Sequence, residues 1–112
     1  MISWPAIIKY HGDDELAYIA TESEWNNDAD LSAYAYDDND ALIDNNGVIY
    51  QLNIRVSDIV VPRTANNTIS LYQLIKLVQT HAALQGECCI EKIVFKSITE
   101  GIQLVASMSE GD

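Results

Sequence analysis

Residues 69–86, ISLYQLIKLVQTHAALQG, decide the fold that the sequence predicts. Ser70 precedes the first apolar turn and Gln73 follows three residues later, which is the spacing of a helix N-cap with a capping box. Gly86 follows the last periodic residue, where a helix commonly ends on a left-handed residue. At about 100° per residue, the apolar side chains between them fill one broad arc. The segment therefore predicts an amphipathic helix over residues 70–85 that packs one side against a core.

His81 falls inside this apolar arc. A histidine in that position is either a partly buried side chain with a single hydrogen-bond partner or a ligand or acid–base group. The neighbouring residues supply no recognisable site, so the sequence favours the packing interpretation.

Alternating apolar residues before the helix predict strands that pair as hairpins. Residues 4–11 and 16–21 flank a Gly-Asp-Asp turn and form the first predicted hairpin. Residues 41–54, ALIDNNGVIYQLNI, form the second. Its dipeptide Asn46-Gly47 suits the two positive-φ positions of a type I′ turn.

Four further segments complete the pattern. Residues 34–36 predict a short strand, and residues 56–61 continue extended until Pro62. Residues 63–68, RTANNT, predict a polar loop that leads into the helix. Beyond the helix, residues 88–96, CCIEKIVFK, predict a strand that returns to the sheet.

The segment from residue 97 to residue 108 fits two structures. Ser97 and Glu100 have the spacing of a capping box, but the residues that follow also alternate as those of a strand would. We interpret the segment as a short C-terminal helix. Residues 109–112 are predicted to form a disordered tail.

Together these elements predict a single α+β domain over residues 1–108. Its expected architecture is an antiparallel sheet of about five strands, with the main helix packed on one face and the short helix at the C-terminus. A chain of 112 residues with 48% hydrophobic side chains is sufficient for one domain with its own core.

Charge is distributed unevenly along the chain. The net charge is −11, and residues 13–44, called the acidic segment below, hold eleven acidic side chains and no Lys or Arg. Phosphate contacts require Lys and Arg, so this distribution argues against direct binding of nucleic acid and favours a basic protein surface as the partner. A solvated acidic face without a partner is the alternative. The high charge of one sign also predicts a monomer.

Targeting signals are missing from the sequence. No apolar run reaches the roughly 20 residues that a membrane helix needs, so no membrane partner is expected. The N-terminus lacks a basic region followed by an apolar core, which predicts no signal peptide and a cytoplasmic location. Cys88 and Cys89 are then expected to be free thiols that are buried in their strand.

The residues that can carry chemistry form no recognised motif. The acidic loop at residues 37–44 fails the EF-hand pattern, because neither the first nor the last loop position carries a carboxylate. His81, Cys88 and Cys89 offer at most three ligands, and the cysteines lack Cys-x-x-Cys spacing. The sequence therefore predicts no catalytic residue, no metal and no cofactor.

Five stretches carry a resemblance to a known group of proteins. They are residues 4–6 (WPA), 46–50 (NGVIY), 77–82 (LVQTHA), 88–92 (CCIEK) and 100–105 (EGIQLV). With them the chain resembles a family of small acidic gammaproteobacterial proteins of unknown function. The resemblance implies no activity, cofactor or functional residue.

Two functions of different classes remain open. The first is a non-catalytic protein-binding module that uses the acidic segment, in which aromatic residues alternate with acids. Its predicted contact residues are Trp25, Tyr34, Tyr36, Asp37, Asp38 and Asp40. The alternative is a small enzyme or a metal- or thiol-dependent protein that uses His81 with Cys88 or Cys89. For Trp25, packing in the core is a further possibility, because large aromatic side chains bury most of their area.

Overall fold

The computed structural model describes residues 1–110 and has the expected α+β architecture. Its strands are β1 (Ala6–Lys9), β2 (Leu16–Ile19), β3 (Ala41–Ile43), β4 (Val48–Gln51), β5 (Arg55–Val56), β6 (Ile59–Val60) and β7 (Arg63–Thr68). Five of them form one sheet in the order β2-β1-β3-β4-β7, and every neighbouring pair is antiparallel. Strands β5 and β6 form a separate hairpin.

Within residues 1–110, four helices accompany the strands. They are α1 (Glu22–Asn27), α2 (Ala29–Ala33), α3 (Leu71–Leu84) and α4 (Ile98–Glu110), with a 3₁₀ turn at Ile90–Lys92. The prediction of a five-stranded antiparallel sheet with one main helix and a C-terminal helix is thus confirmed.

Helix α3 is the main predicted helix, and both of its ends form as its sequence indicates. Ser70 Oγ accepts a hydrogen bond from the Gln73 N–H at 3.1 Å, and Gln73 Oε1 accepts one from the Ser70 N–H at 2.9 Å. At the C-terminus, Gly86 has a φ of +84°. The N–H groups of residues 86 and 87 donate to carbonyl oxygens of the last turn, each at 3.1 Å. This is the Schellman pattern, which occupies carbonyl groups that a helix end leaves free.

Both predicted hairpins are present, but the turn of the second differs from the prediction. Gly47 has a φ of +82°, whereas Asn46 does not have a positive φ, so the predicted type I′ turn is wrong. The Gly47 N–H donates to the Asp44 carbonyl at 2.9 Å. The Asp44 carboxylate also accepts from the N–H groups of Asn46 and Val48. An aspartate that bonds to the backbone ahead of it stabilises a turn in which only the glycine is left-handed.

Positive φ at two consecutive turn residues occurs instead between β5 and β6. Ser57 has a φ of +53° and Asp58 one of +65°, and the chain reverses there. The prediction of one extended segment over residues 56–61 is therefore wrong. The sequence of residues 56–61 does not reveal the reversal, because neither Ser57 nor Asp58 is the glycine that usually marks such a turn.

Two predictions about flanking segments are also wrong. Residues 63–68 are not a loop but the edge strand β7, which pairs with β4. An edge strand whose side chains mostly face water carries no apolar alternation to mark it. Residues 88–96 are not a strand but a loop with a 3₁₀ turn. Their apolar side chains Ile93 and Phe95 pack beneath α3 and α4 without any pairing to the sheet.

The predicted strand at residues 34–36 is absent as well. The Tyr36 N–H donates to the Tyr34 carbonyl at 3.1 Å, which makes a tight turn. The alternation of the two tyrosines there reflects aromatic packing, described below, and not strand pairing.

The central sheet is apolar on both faces, so each face needs a cover. In β1, the side chains of Ala6, Ile7 and Ile8 are all fully buried although consecutive residues point to opposite faces. Helices α3 and α4 cover the face of Ile7. The part of the acidic segment that connects β2 to β3, residues 20–40, and the β5–β6 hairpin cover the face of Ile8. The residues of this second cover that enter the core are Trp25, Tyr36 and Val60.

Helix α4 settles the ambiguity of the C-terminal segment. Ser97 Oγ accepts from the Glu100 N–H at 3.2 Å, as the capping pattern predicts. The helix runs to Glu110, two residues into the segment predicted as a disordered tail, and residues 111–112 lie outside the described chain. Gly101 lies buried in the first half of α4. A Cβ at that position would lie 2.6 Å from two ring atoms of Phe95 and 2.8 Å from Leu74 Cδ2, so the helix approaches these side chains too closely for a larger residue.

The close packing around Gly101 predicts that alanine at this position destabilises the protein, although alanine has the higher helix propensity. Alanine is better than glycine in a helix by about 1 kcal/mol. Forcing a methyl group into this close contact costs about 1–3 kcal/mol. We therefore expect Gly101→Ala to lower the free energy of unfolding, as measured by urea denaturation. The exposed Gln103 on the same helix is the control, and Gln103→Ala should leave stability nearly unchanged. A Gly101→Ala variant more stable than the wild type would contradict the packing described.

Candidate functional site

The acidic segment contains β2 and β3, and between them it folds over the sheet as two short helices, each begun by a side-chain cap. Thr21 Oγ1 accepts from the Glu24 N–H at 3.1 Å and begins α1. The Asp28 carboxylate accepts from the N–H groups of Asp30 and Leu31, at 2.9 and 3.2 Å, and begins α2. Such caps allow short helices to form, because they satisfy N–H groups that the first turn leaves free.

Three aromatic rings of this segment pack together with a fourth, that of Tyr10, which follows β1. Tyr36 lies at the centre, with ring centroids 4.8 Å from Tyr34, 6.0 Å from Tyr10 and 6.4 Å from Trp25. The rings of Tyr34 and Tyr36 meet edge to face at 60°. Trp25 and Tyr36 are buried, whereas Tyr34 is 49% exposed. Of the three aromatic residues predicted as contacts, Tyr34 is thus the one with a large surface in water.

Tyr10 is a member of this aromatic cluster that the sequence analysis missed. Its alternation with the buried residues of β1 was the signal that could have found it. Burial raises the pKa of Tyr36, and the neighbouring Tyr10 and Asp40 raise it further. Burial also raises the pKa of Tyr10. The Tyr36 hydroxyl therefore stays protonated and donates to the Leu31 carbonyl at 2.9 Å, which fixes the ring beneath Tyr34.

The three predicted acidic residues divide into one buried and two exposed carboxylates. Asp40 is buried, and its two oxygens accept from the N–H groups of His11, at 2.7 Å, and Asp37, at 2.8 Å. Its carboxylate therefore ties the β1–β2 turn to the acidic loop. Asp37 and Asp38 are exposed, and Asp38 Oδ1 accepts from Asn53 Nδ2 at 2.9 Å.

Asp44, at the end of the acidic segment, is also structural. It is buried, and its Oδ1 accepts from the N–H groups of Asn46 and Val48 at 2.9 and 3.0 Å. Its Oδ2 accepts from the Ser3 N–H at 3.0 Å and lies 3.4 Å from the Tyr50 hydroxyl. Asp44 therefore joins the N-terminal residues to the β3–β4 turn.

His81 packs between α3 and the sheet. It is 2% exposed, and its Nδ1 accepts from the Leu16 N–H at 3.0 Å. The ring proton must then lie on Nε2, which is buried and has no hydrogen-bond partner in the described part of the chain. Burial lowers the pKa of His81, and the negative charge of Glu15 opposes that effect only in part. His81 is therefore a packed side chain with a single hydrogen-bond partner, which is the interpretation that the sequence favoured.

The two cysteines are free thiols, but they are exposed and not buried as expected. They lie in the loop after α3, where Cys89 has a φ of +57°. Burial was expected because both cysteines were predicted to lie in a strand of the sheet. They lie instead in a loop that does not pair with the sheet. Among residues 1–110, no group of three or more His, Cys, Asp or Glu side chains is placed to hold a metal ion.

Fold and surface define the class of this protein as a small acidic α+β domain with an exposed tyrosine beside exposed carboxylates. The chain belongs to the DUF4144 family, described as a protein structure with unknown function, whose sequence model matches residues 4–105. The predicted membership of a family of unknown function is confirmed.

A solved structure supports the fold independently. The NMR structure of a protein from Shewanella amazonensis superposes with a TM-score of 0.68 and shares 24% sequence identity. The match covers 96% of this chain and 90% of that one. No curated protein matches the chain significantly. None of the helices within residues 1–110 has the length and apolar character needed to cross a membrane.

The environment of His81 generates a prediction for the dependence of stability on pH. The unfolded chain binds a proton at this histidine near the ordinary pKa of about 6.5, whereas the folded protein binds it only at lower pH. The stability contributed by neutral His81 is therefore present above about pH 6.5 and is lost as pH falls below it. We expect His81 to contribute a slope of up to about 1.4 kcal/mol per pH unit.

Chemical denaturation between about pH 7.5 and pH 5.5 measures this slope. His81→Gln should remove that part of the decline, leaving the decline caused by other groups. His11→Gln is the matched control, because the His11 side chain is exposed. Parallel stability curves for the wild type and His81→Gln would show that the buried ring does not resist protonation.

Proposed function

We propose that this protein is a non-catalytic protein-binding module whose acidic segment docks onto a basic surface of a partner protein. One observation carries the proposal: the exposed Tyr34 ring rests on the buried Tyr36 and lies in the same loop as the exposed Asp37 and Asp38. Tyrosine is enriched among the residues that dominate binding energy, and it loses little conformational freedom when it is bound.

The predicted residues take two roles in this proposal. Tyr34, Asp37 and Asp38 contact the partner. Trp25, Tyr36 and Asp40 hold them in place from below, since all three are buried within the fold. The aromatic packing and the bonds of Asp40 to backbone N–H groups limit the motion of the loop before binding, which reduces the entropy lost on association.

Charge selects the kind of partner. The acidic segment has eleven acidic side chains and no Lys or Arg, so a basic side chain that approaches it meets no repulsion from the segment itself. A Lys or Arg of the partner can contact the face of Tyr34 by a cation–π interaction while Asp37 and Asp38 pair with its neighbours. The same field accelerates encounter with a basic surface and repels nucleic acid.

In this function the protein is a cytoplasmic monomer before it meets its partner. A net charge of −11 opposes self-association. The carboxylates that would contact the partner are exposed, so their contribution to binding should weaken as salt screens their charge.

Affinity capture from the native host lysate tests the proposal. The baits are the wild type, Asp37→Asn/Asp38→Asn and Tyr34→Ala, each at low and high salt, with mass spectrometry as the readout. We expect a basic partner on the wild type and roughly three- to tenfold less of it on the double variant. Removal of a contact that dominates the interface, worth about 2 kcal/mol, should reduce binding by Tyr34→Ala roughly thirtyfold.

The control bait is Glu87→Gln/Glu91→Gln. It removes the same amount of charge from exposed positions outside the acidic segment. This control should capture the partner as well as the wild type does. Identical proteins on all four baits would contradict the proposal and leave the acidic segment as a solvated surface.

A further inference from the structure

The β5–β6 hairpin exposes three β-branched aliphatic side chains on one face. Val56 is 60% exposed, Ile59 57% and Val61 38%. Val56 and Ile59 lie directly opposite each other in the strand pair, so their side chains share the outer face. Val61 returns to that face by alternation. These three residues are called the hairpin patch. Single exposed aliphatic residues are common, but a cluster on one face marks an interaction surface.

Val60 and Arg55 join the hairpin to the rest of the molecule. On its inner face, Val60 is buried in the core. Arg55 Nη2 donates to the Ala33 carbonyl at 3.0 Å. Two further hydrogen bonds lie within the hairpin: Arg55 Nη2 donates to the Asp58 carbonyl at 3.2 Å, and the Val61 N–H donates to the Ile54 carbonyl at 2.8 Å. The outward direction of the hairpin patch is therefore built into the fold.

The hairpin patch adjoins the surface assigned above to partner binding. The carbonyl that Arg55 contacts belongs to Ala33, the residue before Tyr34. Asn53, which precedes the hairpin, donates to Asp38. Both features thus lie on the side of the sheet that faces away from α3 and α4. Arg55 keeps its positive charge when it binds neutral carbonyl groups, so it adds one base to the acidic charges on this side.

We propose that the hairpin patch is the apolar half of the docking surface, and that the partner segment is amphipathic, with aliphatic side chains flanked by Lys or Arg. This inference rests on the proposed function and extends it from a charge preference to a pattern of partner residues. The aliphatic contacts supply affinity, and the acidic loop supplies orientation and rate of encounter.

Charge complementarity argues for this occupant over a second copy of the chain. Two copies placed face to face through the hairpin patch would bring two acidic segments together, in a protein whose net charge is −11. Like charges placed across an interface oppose association. A basic amphipathic segment buries the same aliphatic side chains without that repulsion.

Three synthetic peptides test the proposal as probes for wild-type protein. The first contains Lys and Leu at helical spacing, the second has Ser in place of every Leu, and the third has Glu in place of every Lys. Binding is measured by calorimetry and by amide chemical shifts of isotope-labelled protein. We expect the Lys–Leu peptide to bind roughly tenfold or more tighter than the Lys–Ser peptide, because only the first of these two basic peptides has aliphatic side chains to bury the hairpin patch. The Glu–Leu peptide should bind weakest. Shifts from the Lys–Leu peptide should include residues 56–61 and 34.

Matched variants locate the apolar contact. Val56→Thr/Ile59→Thr keeps β-branched side chains, so the hairpin should still form while its outer face becomes polar. This variant should lose the preference for Leu over Ser and bind both basic peptides alike. The control, Leu84→Gln/Val94→Thr, changes two comparably exposed aliphatic residues elsewhere and should keep the wild-type preference. Unchanged amide shifts away from the substituted residues would verify that each variant is folded.

The outcomes separate this inference from the proposed function. If Val56→Thr/Ile59→Thr keeps the full preference for the Lys–Leu peptide, the hairpin patch is not part of the surface. The proposed function would still stand in that case if Asp37→Asn/Asp38→Asn weakened both basic peptides. If the acidic variant changed neither peptide, the proposed function itself would fail. A wild-type dimer in sedimentation that Val56→Thr/Ile59→Thr dissolves would assign the patch to self-association and overturn the inference.

Discussion

The need to keep water from both faces of one thin sheet governs this structure. Strands β1 and β3 carry consecutive apolar side chains, so neither face of the sheet can be left in water. Helices α3 and α4 cover one face with ordinary amphipathic packing. The other face is covered by the β5–β6 hairpin and by residues 20–40, which have few apolar side chains and bury two large ones, Trp25 and Tyr36.

The position of the acidic segment over the core explains why some of its carboxylates are buried and others are exposed. Asp40 and Asp44 are buried and structural, because their carboxylates accept hydrogen bonds from the backbone N–H groups of His11 and Ser3, respectively. Buried carboxylates are tolerated when such bonds surround them. The other acids of the loop stay in water, where they are free to act on a partner. One stretch of sequence thus supplies both structural and surface charge.

The same constraint orients the β5–β6 hairpin. Val60 must enter the core, and alternation then forces Val56 and Ile59 outward. Burial on the inner face and exposure on the outer face are two consequences of one strand register. The aliphatic surface beside the acidic loop is therefore a fixed feature of the fold.

The sequence by itself determined what depends on neighbours along the chain. The ends of α3, the first hairpin and the cap of α4 follow from residues within a few positions of one another, and all of them form. The packed environment of His81 followed from helical periodicity in the same way. Only the tertiary structure decided what depends on distant partners. It made the polar residues 63–68 a strand because β4 lies beside them, and it separated buried Asp40 from exposed Asp37 because the backbone of His11 reaches only the first. Composition marks both aspartates as equal, and only their positions relative to the sheet distinguish them.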